Sequence, residues 1–556
     1  MIRMPIISAG FISLLVLLIC LVPIFHIGFT VGDNWKGIVP EYIEDSNYYY
    51  ARINDVVRGY PFGGNPYFVE HKDSISPAFF ISDWVASMPF LIGLPFNLGI
   101  IFNVIVWSEI FVFILYFLFK KFEVSEINSI VFSIVTWLQV FWLFVRPVVM
   151  QVIFPGYALF LLALFLWIEN KSKKRTFFLV LTSLYCIYIY TYLLQIVFFT
   201  FLIIFFNYLI SKNWDGLKCL IKILLYILIL SIPFLYFSYL QISSPDYIET
   251  IKRIGLLSTH IPRMDLYYYG RWIVIVVFLW FISSKWITSF RSDYQKQIFR
   301  FLWITGLGLI VTSGSNIFTG KELELSNHIG RFIIWWFSFA FFLYLNTFIR
   351  FYKSEIKSLN IYSKSLLIVI ILICFVGVTR NIPRAFVFFR MDKNQAIFIQ
   401  NYADPINKLN ENLDKNMVIL ANDEFSGYVP ILTKHYVLFH PSGALQMVSD
   451  RELEDRYLIS RFLFGGANRG DIERDVGLYG GAGKALKGQE MQLHFDNMYK
   501  RYEDEISPNI LKFLSDYKVD YIIVDLNNKL EGLEVKKIPT NEVYRDNNFV
   551  IYKITY

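Results

Sequence analysis

Cysteine is scarce in this chain, and nothing in its spacing puts it to use. Cys20, Cys186, Cys219 and Cys374 all lie in or at the ends of apolar runs. There is no CxxC and no Cys/His spacing, which speaks against a disulfide framework and a zinc site. Charge is also low, at 17% of residues, and the net +7 comes from Lys and Arg in short stretches between apolar runs. No basic patch of the kind that binds nucleic acid results. A P-loop is missing too. The segment ending in Gly483-Lys484 has Leu478 where the first glycine belongs and Ala485 where Ser or Thr belongs. No repeat of solenoid type occurs.

What the chain has instead is apolar length. It is 55% hydrophobic and 19% aromatic over 556 residues, and its apolar runs repeatedly approach the roughly 20 residues a bilayer-spanning helix needs. This reads as an α-helical polytopic membrane protein with about eleven spans, near 6–27, 97–119, 127–145, 149–168, 176–191, 193–210, 219–239, 271–288, 299–313, 331–349 and 365–380. The first run lacks a small-residue cleavage site and reads as a retained anchor. The stretch Ile81 to Leu94 contains Asp83 and reads as an interfacial helix.

Basic residues alternate between the loops. Lys120 and Lys121, Lys171 to Arg175, Lys212 and Lys218, Arg291 to Arg300, and Arg350 to Lys364 fall on one side. By the positive-inside rule that side is cytoplasmic. The N-terminus is then inside, and the first loop, 28–96, lies outside together with the end of the chain. Residues 1–394 form the membrane domain in this reading, in a multi-pass protein of a plasma membrane. Residues 395–556 form an extracytoplasmic α/β domain, with strands at Met417 to Ala421 and Asp520 to Asp525, a helix over Pro508 to Tyr517, and edge strands at Glu534 to Lys537 and Phe549 to Thr555.

The chemistry concentrates in Val39 to Asp73. Glu41, Glu44 and Asp45 open it, and a helical run from Ser46 to Arg58 ends at Gly59. On that helix Asp45, Tyr48, Tyr49 and Arg52 fall at i, i+3, i+4 and i+7, one face. An acid at a helix start also serves as an N-cap. Glu70 and His71 follow in a loop. Cations on other outside loops are His260 and Arg263, between Gln241 and Gly270, and His328 and Arg331, at the start of a late span. An acid accepts a proton from a hydroxyl, and Arg and His stabilise a departing phosphate.

The run Glu44-Asp45-Ser46-Asn47-Tyr48-Tyr49-Tyr50-Ala51-Arg52 resembles the acid-led element in the first external loop of the GT-C integral-membrane glycosyltransferases. These include the oligosaccharyltransferase catalytic subunit, the protein O-mannosyltransferases and the bacterial aminoarabinose transferases. The resemblance covers 1–380 as architecture and 44–58 as motif. It implies a polyprenyl-phosphate sugar as donor, a glycan, lipid or protein as acceptor, membrane lipid around the chain, and no nucleic acid. By the resemblance Asp45 takes the place of the catalytic acid; Glu44 beside it is read as its helper, and Tyr48, Tyr49, Arg52, Glu70, His71, His260, Arg263, His328 and Arg331 are read from their chemistry and placement as substrate contacts. The chain departs from the oligosaccharyltransferase branch. Only Arg146-Pro147 stands where a second acidic motif belongs, and Trp335-Trp336 is followed by Phe337. An inverting transferase with no cofactor and no metal fits these departures better than a metal-dependent one.

Two other functions share this composition. A flippase for lipid-linked glycans needs Gly/Pro-broken spans and acids near mid-membrane, and Glu109 is the only acid well inside a span. A polysaccharide polymerase or ligase places its large outside loop late, whereas here it comes first.

Overall fold

A computed structural model describes residues 4–40, 45–146, 149–261, 293–323, 325–352, 372, 375–376, 379, 382–412, 416–479, 486–528, 531–532 and 534–556. The chain divides into two compact units.

The first unit comprises Met1–His26, Ile100–Phe234 and Leu257–Arg390. It is helical, as its apolar runs dictate. Among the described residues, five helices are long and apolar enough to cross a membrane: Ile6–Asn34, Phe96–Lys121, Gln151–Glu169, Thr191–Ile210 and His328–Asn346. They make the chain an integral membrane protein. Helix starts follow capping chemistry. Ser125, Ser172 and Asn213 each accept a hydrogen bond from a backbone N–H three residues on. The core is aromatic, with Trp335 edge-on to Phe111 and Tyr157 at 5.2 and 5.5 Å between centroids.

Several expected spans take other forms. The run 127–145 is two helices, Glu126–Leu138 and Phe141–Phe144, parted at Gln139 and Val140. The run 219–239 is Trp214–Leu230 and Ile232–Ile242, bent by 53°. Pro233 is the cause, since it has no N–H to donate and its ring crowds the preceding turn. Tyr188 Oη donates to the Leu230 carbonyl beside this break, at 2.7 Å. If the bent pair is one span, the total reaches six. The expected span 271–288 and most of 365–380 lie outside the described residues.

The second unit gathers three separate stretches, Ile27–Gly99, Leu235–Leu256 and Met391–Tyr556. The sequence reading grouped 28–96 with the membrane helices; by its contacts this loop belongs with the C-terminal residues. At the centre is a five-stranded mixed sheet. Val418–Leu420 lies parallel to both Tyr436–Val437 and Val519–Asp525, and Phe549–Ile554 runs antiparallel between Val519–Asp525 and Thr540–Arg545. Leu420, Leu438, Tyr457, Leu458 and Ile522 are buried against it.

The inner strands sit where their apolar runs put them. The outer pair is shifted: Val535–Lys537 is a 3-10 turn, and the edge strand starts at Thr540. Pro539 accounts for the shift, because it cannot donate to a ladder. The helix expected from Pro508 begins as a 3-10 turn, Ser507–Asn509, and continues as Ile510–Asp516.

The first-loop helix Ser46–Val57 packs on two helices of the same unit, Ile81–Leu91 and Asp423–Leu432. Asn54 Nδ2 fastens it, donating to the carbonyls of Pro430 and Thr433 at 2.8 and 3.0 Å. The stretch 235–256 is held through Arg253, which donates to the carbonyls of Ala444 and Val448 and pairs with Asp450.

Candidate active site

Asp45 stands at the head of Ser46–Val57 with its backbone in the left-handed region, φ +74°, and its side chain makes no capping hydrogen bond. The residue is exposed. The N-cap role open to an acid at this position is therefore not the one it takes. A left-handed non-glycine residue is strained, and such strain gathers at functional positions. Glu44 lies outside the described residues.

The rest of the expected face is buried. Tyr48 is 7% exposed and Arg52 is 5% exposed. Arg52 pairs with the buried Asp83 and also donates to Tyr48 Oη at 3.1 Å. Its charge is held more firmly than in water, because Asp83 and Tyr48 outweigh the burial that opposes it. Burial in turn raises the Asp83 carboxyl, against the pull of Arg52. Tyr49 is half-buried and meets Tyr48 edge-on at 5.1 Å. One turn further on, Asp55 is 1% exposed. Burial pushes it up to about 7, with Arg58, the Gly64 N–H and Arg52 opposing and Asp83 reinforcing.

Glu70 and His71 are engaged with the C-terminal stretch of the same unit. Arg456 reaches Glu70 at 2.7 Å and Glu452 at 2.8 Å, and His71 Nε2 meets Glu452 at 2.8 Å. Arg456 is fully buried, with its guanidinium 4.1 Å from the Phe68 ring centroid and 4.5 Å from that of Tyr517. The intervening turn is tight. A Cβ on Gly64 would lie 1.6 Å from the Lys72 carbonyl oxygen. Asn65 Oδ1 accepts from the N–H groups of Tyr67 and Phe68.

A cavity of about 340 Å³ opens within this unit beside the head of the helix. Asn47, Gln395, Asp423, Glu424, Tyr428 and His440 supply its polar groups, and Pro40, Met391 and Ile399 its apolar wall. Asp45 does not line it; Asn47, two residues on, does. Asp423 and Glu424 occupy the first turn of Asp423–Leu432, which Asn422 caps by accepting from the Phe425 N–H at 2.8 Å. His440 Nδ1 accepts from the Ser442 N–H, and its ring stacks on Tyr67 at 5.0 Å. Burial holds His440 down at about 3 and raises Asp423. The sequence reading missed this wall. Its visible signal was Asn422-Asp423-Glu424, the cap and acidic first turn of a helix.

The remaining expected residues belong to the first unit. His328 is half-buried, hydrogen-bonded through Nδ1 to Tyr190 Oη and stacked on Tyr192 at 4.2 Å. Arg331 is half-buried one turn later on Leu325–Tyr352. His260 is exposed, and its Nδ1 lies 3.0 Å from the Ile317 carbonyl oxygen. Arg263 lies outside the described residues. Among the described residues no group of three His, Cys, Asp or Glu side chains is placed to hold a metal ion.

No protein-family model matches the sequence, and no curated protein matches it. Solved structures similar to the chain include ArnT from Cupriavidus metallidurans bound to undecaprenyl phosphate, at 10% identity and TM-score 0.46 over 96% of this chain and 97% of that one. The oligosaccharyltransferase of Archaeoglobus fulgidus in its apo form is similar at 10% identity and TM-score 0.43, over 98% of this chain and 74% of that one. AglB of the same organism, in complex with an inhibitory peptide and a dolichol-phosphate, is similar at 9% identity and TM-score 0.43 over the same shares. A likeness this distant assigns no residue a role.

Proposed function

We propose that the chain is a membrane glycosyltransferase that moves a sugar from a polyprenyl-phosphate donor to a hydroxyl acceptor at the outer membrane face. The observation that carries this reading is Asp45: an exposed carboxylate in left-handed backbone, at the head of a helix it does not cap. An exposed carboxylate can act as general base. It takes the proton of the acceptor hydroxyl. The hydroxyl oxygen bonds to the anomeric carbon, the bond from that carbon to the phosphate oxygen breaks, and the polyprenyl phosphate leaves with the electron pair. One displacement inverts the anomeric centre. The sequence reading offers Arg331, His328 and Arg263 as candidate cations for the leaving phosphate, and a guanidinium meets two of its oxygens at once. Arg52 holds the helix that carries Asp45.

The test is transfer from a synthetic polyprenyl-phosphate sugar by the purified full chain. Asp45→Asn keeps the shape and removes the base, and a loss of about 10²–10⁴-fold is expected. Near wild-type transfer by Asp45→Asn overturns the assignment of the base. Arg331→Ala is expected to lose more than Arg331→Lys. Normal transfer by Arg331→Ala moves the phosphate contact to another cation.

A further inference from the structure

The cavity beside the helix head has a chemistry of its own. Among the described residues its lining includes two carboxylates, Asp423 and Glu424, and neither Lys nor Arg. A phosphate would meet repulsion there with no compensating cation. The neutral groups offer both donors and acceptors. His440 is uncharged at neutral pH, as burial holds it near 3. Its Nδ1 accepts from the Ser442 N–H, so the ring proton sits on Nε2, which is a donor. The amides of Asn47 and Gln395 donate and accept. Tyr428 and Ile399 give flat and apolar surface. Alternating donors, acceptors and apolar faces match the ring of a sugar.

Gly427 keeps the space open. A Cβ there would lie 3.1 Å from His440 Nε2 and 3.7 Å from Asn47 Nδ2, between the two donors. The volume, about 340 Å³, stands at the small end of the ~300–1,000 Å³ found for ligand pockets.

We propose that this cavity is a subsite for an uncharged or amine-bearing sugar ring, with Asn47, His440 and the Asp423–Glu424 carboxylates as its contacts and Gly427 as its gauge. It would hold the acceptor sugar of the transfer, and to that extent rests on the transferase reading. Binding itself does not depend on that reading.

The experiment measures binding of glucosamine, glucose and glucose 1-phosphate to the full chain in detergent by saturation-transfer NMR, with no donor present. Glucosamine is expected to bind most tightly, glucose next and glucose 1-phosphate least. Gly427→Ala is expected to weaken both bound sugars about tenfold or more. Alanine is the better helix former, so an unchanged melting temperature separates a filled cavity from a lost helix. Asp423→Asn is expected to cut the preference for glucosamine over glucose by roughly tenfold, as for one lost hydrogen bond to a charged group. Tightest binding of the phosphate sugar, no binding of any sugar at millimolar concentration, or unchanged binding by Gly427→Ala would each overturn the proposal. Asp45→Asn separates the two readings. If it binds glucosamine normally without transferring, both stand. If sugar binds and Asp45→Asn transfers normally, the base assignment alone falls.

Discussion

The two units of the chain bury polar groups in opposite ways. In the first, several buried hydroxyls return to the backbone of their own helix, although Thr136 and Ser338 also meet across two helices. Ser133 Oγ donates to the Ser129 carbonyl, Ser183 Oγ to that of Leu179, and Thr312 Oγ1 to that of Gly308, all four residues back. No second element is needed, which suits a helix built for a medium that offers no partners. In the second unit several of the buried groups are charged and their partners are far along the chain. Arg52 meets Asp83, Arg456 meets Glu70, and Arg253 meets Asp450. Side chains of the first kind decorate a helix. Those of the second kind decide which elements pack together, and they leave the head of Ser46–Val57 fixed beside a cavity.

That contrast can be broken by mutation. The largest effect is expected for Asp45→Asn, a loss of about 10²–10⁴-fold in transfer with an unchanged melting temperature. A fall in melting temperature would show that Asp45 is structural like its neighbours. Arg52→Ala comes next. It leaves Asp83 buried and alone, and losing one partner of such a pair costs about 3–5 kcal/mol, read by thermal or chemical unfolding in detergent. Replacing both partners with apolar residues should cost less than the single change. An Arg52→Ala protein as stable as wild type would mean the pair does not organise the loop.

Asp55 supplies a pH test. Its folded pKa, about 7, stands above the ordinary 3.8 because of burial, so the folded state holds the proton more tightly than the unfolded one. This group's contribution is most favourable below about 4. It is lost as pH rises from there to about 7, and is flat above. The swing is on the order of 4 kcal/mol, and Asp55→Asn should flatten that part of the stability curve. An identical pH profile in the variant would place the ionisation elsewhere. The smallest effect is expected for Ser133→Ala. It removes one side-chain bond from a carbonyl of its own helix and should change stability by no more than about 1 kcal/mol. A larger loss would erase the distinction between the units.

The same distinction explains what the sequence could and could not tell. Local elements were legible. Ser46 to Arg58 reads as a helix stopped by Gly59, and the structure has Ser46–Val57 capped by Arg58. The inner strands appear at Val418–Leu420 and Val519–Asp525, because a run of apolar residues signals burial wherever it folds. Periodicity also put Tyr48 and Arg52 on one face, but it could not say what that face meets. Asp83 is 31 residues away and Glu70 is 386 from Arg456. Neither distance leaves a trace in local spacing. So Arg52, Glu70 and His71 were read as substrate contacts from their chemistry, while the structure joins them to Asp83, Arg456 and Glu452. Pro233 and Pro539 are visible in the sequence as breaks. Each moved a boundary that apolar runs alone had set.

The scattering of the second unit along the chain also sets a schedule. Ile27–Gly99 emerges early, but its partners from Met391 onward follow nearly 300 residues later. At synthesis rates of about 5–20 residues per second, that gap is roughly 15–60 seconds. For that interval Arg52, Asp55 and Asp83 sit in a segment whose shelter has not been made, while the intervening apolar helices enter the bilayer. A nascent chain stalled before Met391 would present Ser46–Val57 with one of its two packing faces bare, the state that quality-control proteases are built to find.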